Sequence, residues 1–281
     1  ACLQRVLGYG ITGLSIEHFI AVFMGDGRNG KGTLFERLRY IMGDLAWSIQ
    51  PEMLMEQRNV RSSAGPSPDL MSLHGRRIVI ASESDENRRI SCARVKYLTG
   101  ADTVTARSPH DKFDINFQPT HKIFFYTNHL PRGLTRDYAM LKRLLLFNFP
   151  YKFVDSPSSA DERQRDKKLP EKLEAEASGI LAWLVEGCLM WQEQGIDPPP
   201  SLLGRVDELA KSEDVFRQFF DDCCEAGSGQ VHLKELYGRF ANWYSDEVEE
   251  SDRYRPSRRA ASAWLEKHGY RRDRQGGQTV F

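Results

Sequence analysis

The 281-residue sequence has no uninterrupted apolar run approaching the ~20 residues that a membrane-spanning helix needs. Its five cysteines, Cys2, Cys92, Cys188, Cys223 and Cys224, form no Cys-x-x-Cys pair, and the histidines have no paired spacing. That argues against a structural zinc site and fits a reducing compartment. No signal-peptide pattern, internal repeat or low-complexity tract is legible. The expected location is therefore cytoplasmic. Net charge is also absent: 39 Lys and Arg balance 39 Asp and Glu. Zero balance argues neither for nor against nucleic acid, but the distribution is uneven. Residues 246–252 are acidic, whereas residues 253–274 carry eight Lys or Arg against Glu266 and Asp273. Such separation points to a basic face. The chain starts at Ala1, which reads as a piece of a longer protein.

What is present is a phosphate-binding loop. Gly25-Asp26-Gly27-Arg28-Asn29-Gly30-Lys31-Gly32-Thr33-Leu34 follows an apolar run at residues 19–24. It precedes Leu34, Leu38, Ile41 and Met42 at helical spacing. Strand, glycine-rich loop, then helix is the context that gives such a motif meaning. Gly25, Gly27, Gly30 and Gly32 let the backbone turn tightly around an anion, and the helix N-terminus adds partial positive charge. Asn29 lies within the same loop, and Lys31 would reach the β- and γ-phosphates of ATP. The usual pattern puts Ser or Thr directly after the lysine, where the hydroxyl ligates Mg2+. Here Gly32 intervenes, and Thr33 carries the hydroxyl. Some nucleotide kinases share this Gly-Lys-Gly-Thr order.

Further apolar strands are expected at residues 76–81, 121–127 and 144–149. Interleaved with helices, they indicate an α/β fold with a mainly parallel sheet. The first of these ends in Ser82-Glu83-Ser84-Asp85-Glu86, and Glu83 is the preferred acid for orienting Mg2+ or the attacking water. Asp85 and Glu86 are weaker choices. The next strand ends in Asn128, a polar amide placed to sense the γ-phosphate. Between them, residues 102–117 read as a β-hairpin, with Phe113, Ile115 and Phe117 alternating with polar residues. Its tip offers Arg107, His110 and Lys112 to a nucleic-acid backbone.

The order of these pieces resembles the helicase half of phage and plasmid primase–helicases. These are superfamily 3 helicases of the AAA+ class, related to the poxvirus primase–helicase. The matching stretches are residues 3–9, 25–34, 78–83, 95–102, 117–120, 127–132 and 142–143, with fainter similarity at 169–173 and 179–183. The resemblance implies ATP hydrolysis between subunits of a homo-oligomeric, usually hexameric ring that draws single-stranded DNA through its centre. It assigns Lys31 to phosphate binding, Glu83 to the acid, Asn128 to the sensor and Arg143 to an arginine finger reaching the neighbouring subunit's ATP. Relatives often have Arg-Arg where this chain has Lys142-Arg143. The hairpin at residues 107–112 matches the family's DNA-gripping hairpin. A primase domain is expected upstream.

Residues 172–194 read as one long helix, with Leu173, Ala177, Ile180, Leu181, Leu184, Cys188 and Trp191 on one side. Trp183 and Trp191 are read as packing residues. Helices are expected at 214–225, from Leu233 to Tyr244, and at 258–268 behind a Ser257 cap. A small hairpin around Gly276-Gly277 follows. Helix, turn, basic helix, then hairpin is a winged-helix pattern. Arg258, Arg259, Arg271, Arg272 and Arg274 would contact duplex or forked DNA. The expected organisation is a helical lead-in at 1–19 broken by Gly8 and Gly10, an ATPase core at 20–150, a linker and helical segment at 151–212, and a winged-helix-like domain at 213–281. Two rival readings are a nucleotide kinase, from Gly32-Thr33, and a non-hydrolysing ATP-bound DNA adaptor, from Ser82 in the first acidic place.

Overall fold

The computed structural model describes residues 1–57, 65–82, 88–135, 137–225, 227, 229–248, 250–275 and 278–281, without the side chains of Gln275 and Gln278. They form two compact units, residues 1–208 and 209–281.

The first unit opens with α1 (Cys2–Gly10), then β1 (Ile20–Met24), α2 (Lys31–Met42), β2 (Ala46–Ile49), the short α3 (Pro68–Met71) and β3 (Ile78–Ser82). After α4 (Cys92–Thr99) come the antiparallel strands β4 (Val104–Ala106) and β5 (Ile115–Phe117), then β6 (Lys122–Thr127), α5 (Tyr138–Leu141) and β7 (Leu144–Asn148). Strands β1, β2, β3, β6 and β7 form one parallel sheet in the order β2-β3-β6-β1-β7. The near-continuous apolar runs of its central strands are what a parallel sheet covered on both faces demands. Ile20, Ala21, Val22, Phe23, Ile123, Phe124 and Phe125 are all buried. The first and last strands are therefore neighbours: Ile20 pairs with Leu144, and Met24 pairs with Asn148. All five strands present their C-terminal ends along one edge of the sheet, where an open α/β sheet receives its ligand.

Strand β2 is not among the strands expected from the sequence. At the sheet edge, Trp47 and Ser48 stay exposed while Ala46 and Ile49 are buried. Four residues with two outward side chains carry too little apolar signal to be read as a strand.

The chain continues through β8 (Lys152–Val154), β9 (Glu162–Gln164), α6 (Leu169–Ala175), α7 (Ala177–Gln194) and α8 (Pro200–Ser212). Where one helix was expected over residues 172–194, the backbone re-aims at Glu176, which leaves the helical region at φ −92° and ψ 9°. Helix α7 packs on α1, contrary to the expectation that Gly8 and Gly10 break α1. A Cβ on Gly8 would stand 2.2 Å from Cys188 N, and one on Gly187 would stand 2.1 Å from Gln4 O. These glycines permit backbone-to-backbone contact between the two helices. Leu184, Gly187 and Trp191 face that contact and are buried. Leu181, expected on the packed side, is exposed instead. Trp191 packs 4.6 Å from Tyr9 and donates to Glu17 Oε1 at 2.9 Å, whereas Trp183 is half exposed.

The second unit contains α9 (Val215–Cys223), α10 (Leu233–Glu247), α11 (Arg258–Lys267) and the strands β10 (Asp273–Gln275) and β11 (Gln278–Val280). Between α9 and α10, Val231 exchanges two backbone hydrogen bonds with Phe281, and His232 bridges Val280. Asp214 caps α9 by accepting from Phe216 N and Arg217 N, and its other oxygen accepts from Trp264 Nε1 at 2.8 Å. Ser257 caps α11, and Gly269 follows it at φ +89°. Phe216, Phe219, Leu236, Phe240, Tyr244, Ala261 and Leu265 form the core. The Gly276-Gly277 turn lies outside the described residues.

Candidate functional site

Strand β1 ends where the phosphate-type loop begins. Gly27 and Gly30 sit at φ +85° and +86°, a region that L side chains rarely adopt. Gly25 is needed for a different reason: a Cβ there would come 2.4 Å from Phe149 O. The loop closes on Asn29, buried, whose amide donates to Phe149 O at 3.4 Å. Helix α2 starts at Lys31 with no side-chain cap on its N-terminus. Its first amides and its dipole are thus arranged as an anion site.

Lys31 is 4 % exposed. Its ammonium donates to Gly25 O at 2.5 Å, Asn29 Oδ1 at 3.0 Å and Asn128 Oδ1 at 3.3 Å. Asn128 follows the last residue of β6, the neighbour of β1, so adjacent strands deliver the cation and the amide to one point. Thr33 sits in the first turn of α2, half-buried, beside Gly32. Glu83, with Asp85 and Glu86, lies outside the described residues. Among the described residues, no three His, Cys, Asp or Glu side chains gather as a metal site. The Thr33 hydroxyl is the described group suited to a Mg2+ ion, which would offset phosphate charge there.

A cleft of about 770 Å³ opens beside the loop, lined in part by residues that no sequence motif singles out. Thr33, Leu34, Phe153, Val154, Leu169 and Leu173 line its apolar side. Phe153 is held there by its N–H, which donates to Arg28 O at 2.8 Å, and its ring lies 3.8 Å from where a Gly30 Cβ would be. A half-exposed phenylalanine three residues after Pro150 gave no signal by spacing. Only the fold carries the segment after β7 back across the loop.

Arg143 lies at the other end of the sheet. Its carbonyl accepts from Ile20 N at the start of β1, while the phosphate-type loop follows the end of β1. At ~3.3 Å per residue, a five-residue strand separates them by roughly 15 Å. The Arg143 guanidinium donates to Lys96 O at 3.0 Å and Thr99 Oγ1 at 2.9 Å. Arg143 is therefore not part of the site that holds Lys31 in its own chain.

The hairpin residues Arg107, His110 and Lys112 all lie in the segment that joins β4 to β5. Arg107 N donates to Ser67 Oγ at 3.0 Å, and its guanidinium lies 3.7 Å from Asp114. His110 turns the tip at φ +71°. Phe113, read as an alternating strand residue, is 80 % exposed. The ladder pairs only residues 104–106 with 115–117, so Phe113 lies beyond it in the connecting segment.

In the second unit, Arg258, Arg259 and Arg272 line a cleft of about 880 Å³ with Lys234, Ser262 and Thr279. Arg272 pairs with Glu266 at 3.2 Å, and Arg271 and Arg274 are exposed. The described part of the cleft is thus mainly cationic.

A parallel α/β sheet with a glycine-rich loop, a buried lysine and a neighbouring strand-end amide at its C-terminal edge is compatible with a P-loop-type core. Residues 23–143 match a model described as a family of unknown function, DUF5906. The Acanthamoeba polyphaga mimivirus protein named putative helicase L207/L206 is 29 % identical over 247 residues, which is 83 % of this chain and 25 % of that protein. The fowlpox virus (strain NVSL) protein named primase D5 is 27 % identical over 179 residues, 61 % of this chain and 22 % of that one. The apo C-terminal region of NrS-1 superposes with a TM-score of 0.55 at 13 % identity, covering 99 % of this chain and 70 % of that structure. The resemblance to primase–helicases therefore holds. The chain spans about a quarter of the length of these curated relatives.

Proposed function

We propose that this chain is the ATP-driven motor of a viral or mobile-element replication helicase, of the superfamily 3 AAA+ type. The observation that carries this reading is the meeting of Lys31, Asn29 and Asn128 at the uncapped N-terminus of α2. Lys31 and the α2 amides hold the β- and γ-phosphates of ATP. Asn128 orients the attacking water or senses the γ-phosphate. Catalysis comes mostly from positioning and charge stabilisation, with little covalent chemistry left for the protein. Thr33 and Glu83 are proposed to hold Mg2+. The purine rests on Phe153 in the apolar cleft, since every base has a π-face that stacks on an aromatic ring.

The Lys142-Arg143 pair stands away from the site of its own chain. In a ring, usually of six copies, that end of the sheet would face the ATP of a neighbour. The β4–β5 hairpin, with Arg107, His110, Lys112 and the bare Phe113 ring, would grip single-stranded DNA. The second unit, with α9, α10 and α11 followed by the β10–β11 pair, is proposed as a winged-helix module. It would set Arg258, Arg259, Arg271 and Arg272 on duplex or forked DNA.

The test is ATPase rate per subunit against protein concentration, with and without single-stranded DNA, for wild type and Lys31→Ala. A helicase motor gives a rate that rises with both variables and is lost in the variant. A rate indifferent to DNA, with phosphoryl transfer to a nucleoside monophosphate, would replace this reading with a kinase. ATP binding without turnover would replace it with an adaptor.

A further inference from the structure

The junction between α5 and β7 carries two adjacent cations with different surroundings. Arg143 points inward. Its guanidinium donates to Lys96 O and Thr99 Oγ1, both in the last turn of α4. A cation at a helix C-terminus also meets the negative end of the helix dipole. Lys142 points outward. It is exposed, and its ammonium lies 5.3 Å from the centroid of Tyr138, itself 73 % exposed.

A second tie joins the same two helices. Lys96 Nζ donates to Asp137 Oδ2 at 2.6 Å, and Asp137 caps α5 by accepting from Met140 N at 3.1 Å. Helix α4 is thus held to α5 from both sides. Its other connection runs to the hairpin. Gly100 closes the helix, and only residues 100–103 separate it from β4. The Tyr97 hydroxyl accepts from Thr105 N at 3.4 Å. A Cβ on Gly100 would come 3.0 Å from Lys96 O, the same carbonyl that Arg143 engages.

We infer that Arg143 is a positioning residue inside its own chain, a strut that ties the α5–β7 junction through α4 to the β4–β5 hairpin, and that Lys142 is the cation this junction presents to a neighbouring copy. The inference rests on the proposed ring motor and deepens it. One junction would then serve two purposes: Lys142 meets the neighbour's triphosphate, and Arg143 passes the resulting shift to the hairpin that holds DNA. A point charge at the surface can do the first task, but the second needs a planar fork with two donors.

The test uses the whole chain and four variants. Thr99→Val, nearly isosteric, removes the hydroxyl that Arg143 bonds. It should keep basal ATPase within about two-fold and lose most of the stimulation by single-stranded DNA. Lys142→Ala should lower ATPase at least ten-fold and recover when mixed with Lys31→Ala protein, whose intact Lys142 serves the mutant's ATP. Arg143→Gln should not recover on mixing, because its defect stays in the chain that carries it. Thermal melts identify any variant that fails to fold, and Thr99→Val alone then decides. Recovery of Arg143→Gln on mixing, or full DNA stimulation in folded Thr99→Val, would overturn the inference. A wild-type ATPase indifferent to DNA would instead remove the helicase reading, and this inference with it.

Discussion

Lys31 and Asn128, 97 residues apart in sequence, meet at 3.3 Å between the ammonium and the amide oxygen. They meet because β1 and β6 are parallel neighbours in register, with Met24 opposite Thr127. Both strands therefore end at the same height. The amide reaches the cation without displacing it from the glycine-rich loop, which also holds it through Asn29. An ammonium already oriented by three oxygens needs little reorganisation when phosphate arrives.

Asn128→Ala should therefore lower kcat for ATP on the order of 100-fold, the usual cost of losing one preorganised polar group at a reacting centre. Nucleotide affinity should change by less than about five-fold, because Lys31 and the α2 N-terminus remain. Steady-state ATPase with fluorescent-nucleotide binding separates the two. Equal losses in both would place Asn128 in ground-state binding instead.

Phe153→Ala should act in the opposite way. Loss of a stacking ring costs about 1–3 kcal/mol per base, so ATP should bind roughly ten-fold more weakly. At saturating ATP, kcat should be little changed. Phe153→Tyr keeps the ring and should restore affinity. Inorganic triphosphate, which has no base, should bind wild type and Phe153→Ala equally.

The α1–α7 crossing sets a stability test. Gly8→Ala and Gly187→Ala each place a Cβ near 2 Å from backbone atoms of the facing helix. Overpacking of that kind costs about 1–3 kcal/mol or more, here at the upper end because backbone cannot swing aside. Gly179→Ala in the same α7 meets nothing within 4 Å and should stabilise by roughly 0.5–1 kcal/mol through helix propensity. Urea unfolding of the three variants checks the order.

His121 sets a pH test. It is buried just before β6, and neither ring nitrogen has a hydrogen-bond partner among the described residues. Burial pushes its pKa down to about 4 from 6.5; the Leu98 backbone opposes this, and the Lys122 charge adds to it. The folded protein holds the ring neutral, whereas the unfolded chain takes a proton below pH 6.5. Stability is therefore full above pH 6.5 and falls as pH drops toward 4, by up to about 3 kcal/mol. His121→Leu should flatten that part of the stability profile. An equally steep fall in the variant would assign the dependence to other groups.

The sequence by itself determined the features whose causes are local. The glycine-rich loop was legible because Gly27 and Gly30 must adopt positive φ wherever that turn occurs. The bounds of α11 were legible because Ser257 supplies a cap and Gly269 a left-handed exit. The central strands were legible because burial on both faces requires continuous apolar runs. Tertiary structure decided the rest. It made β2 an edge strand despite its exposed Trp47, and it turned Gly8 from an expected helix breaker into a close helix contact opposite Gly187. It left Phe113 bare, brought Phe153 back over the phosphate-type loop, and turned Arg143 toward α4 while leaving Lys142 outside. Each of these depends on which surface a segment meets. Spacing along a chain prescribes backbone conformation, but only packing chooses the partner across a long loop.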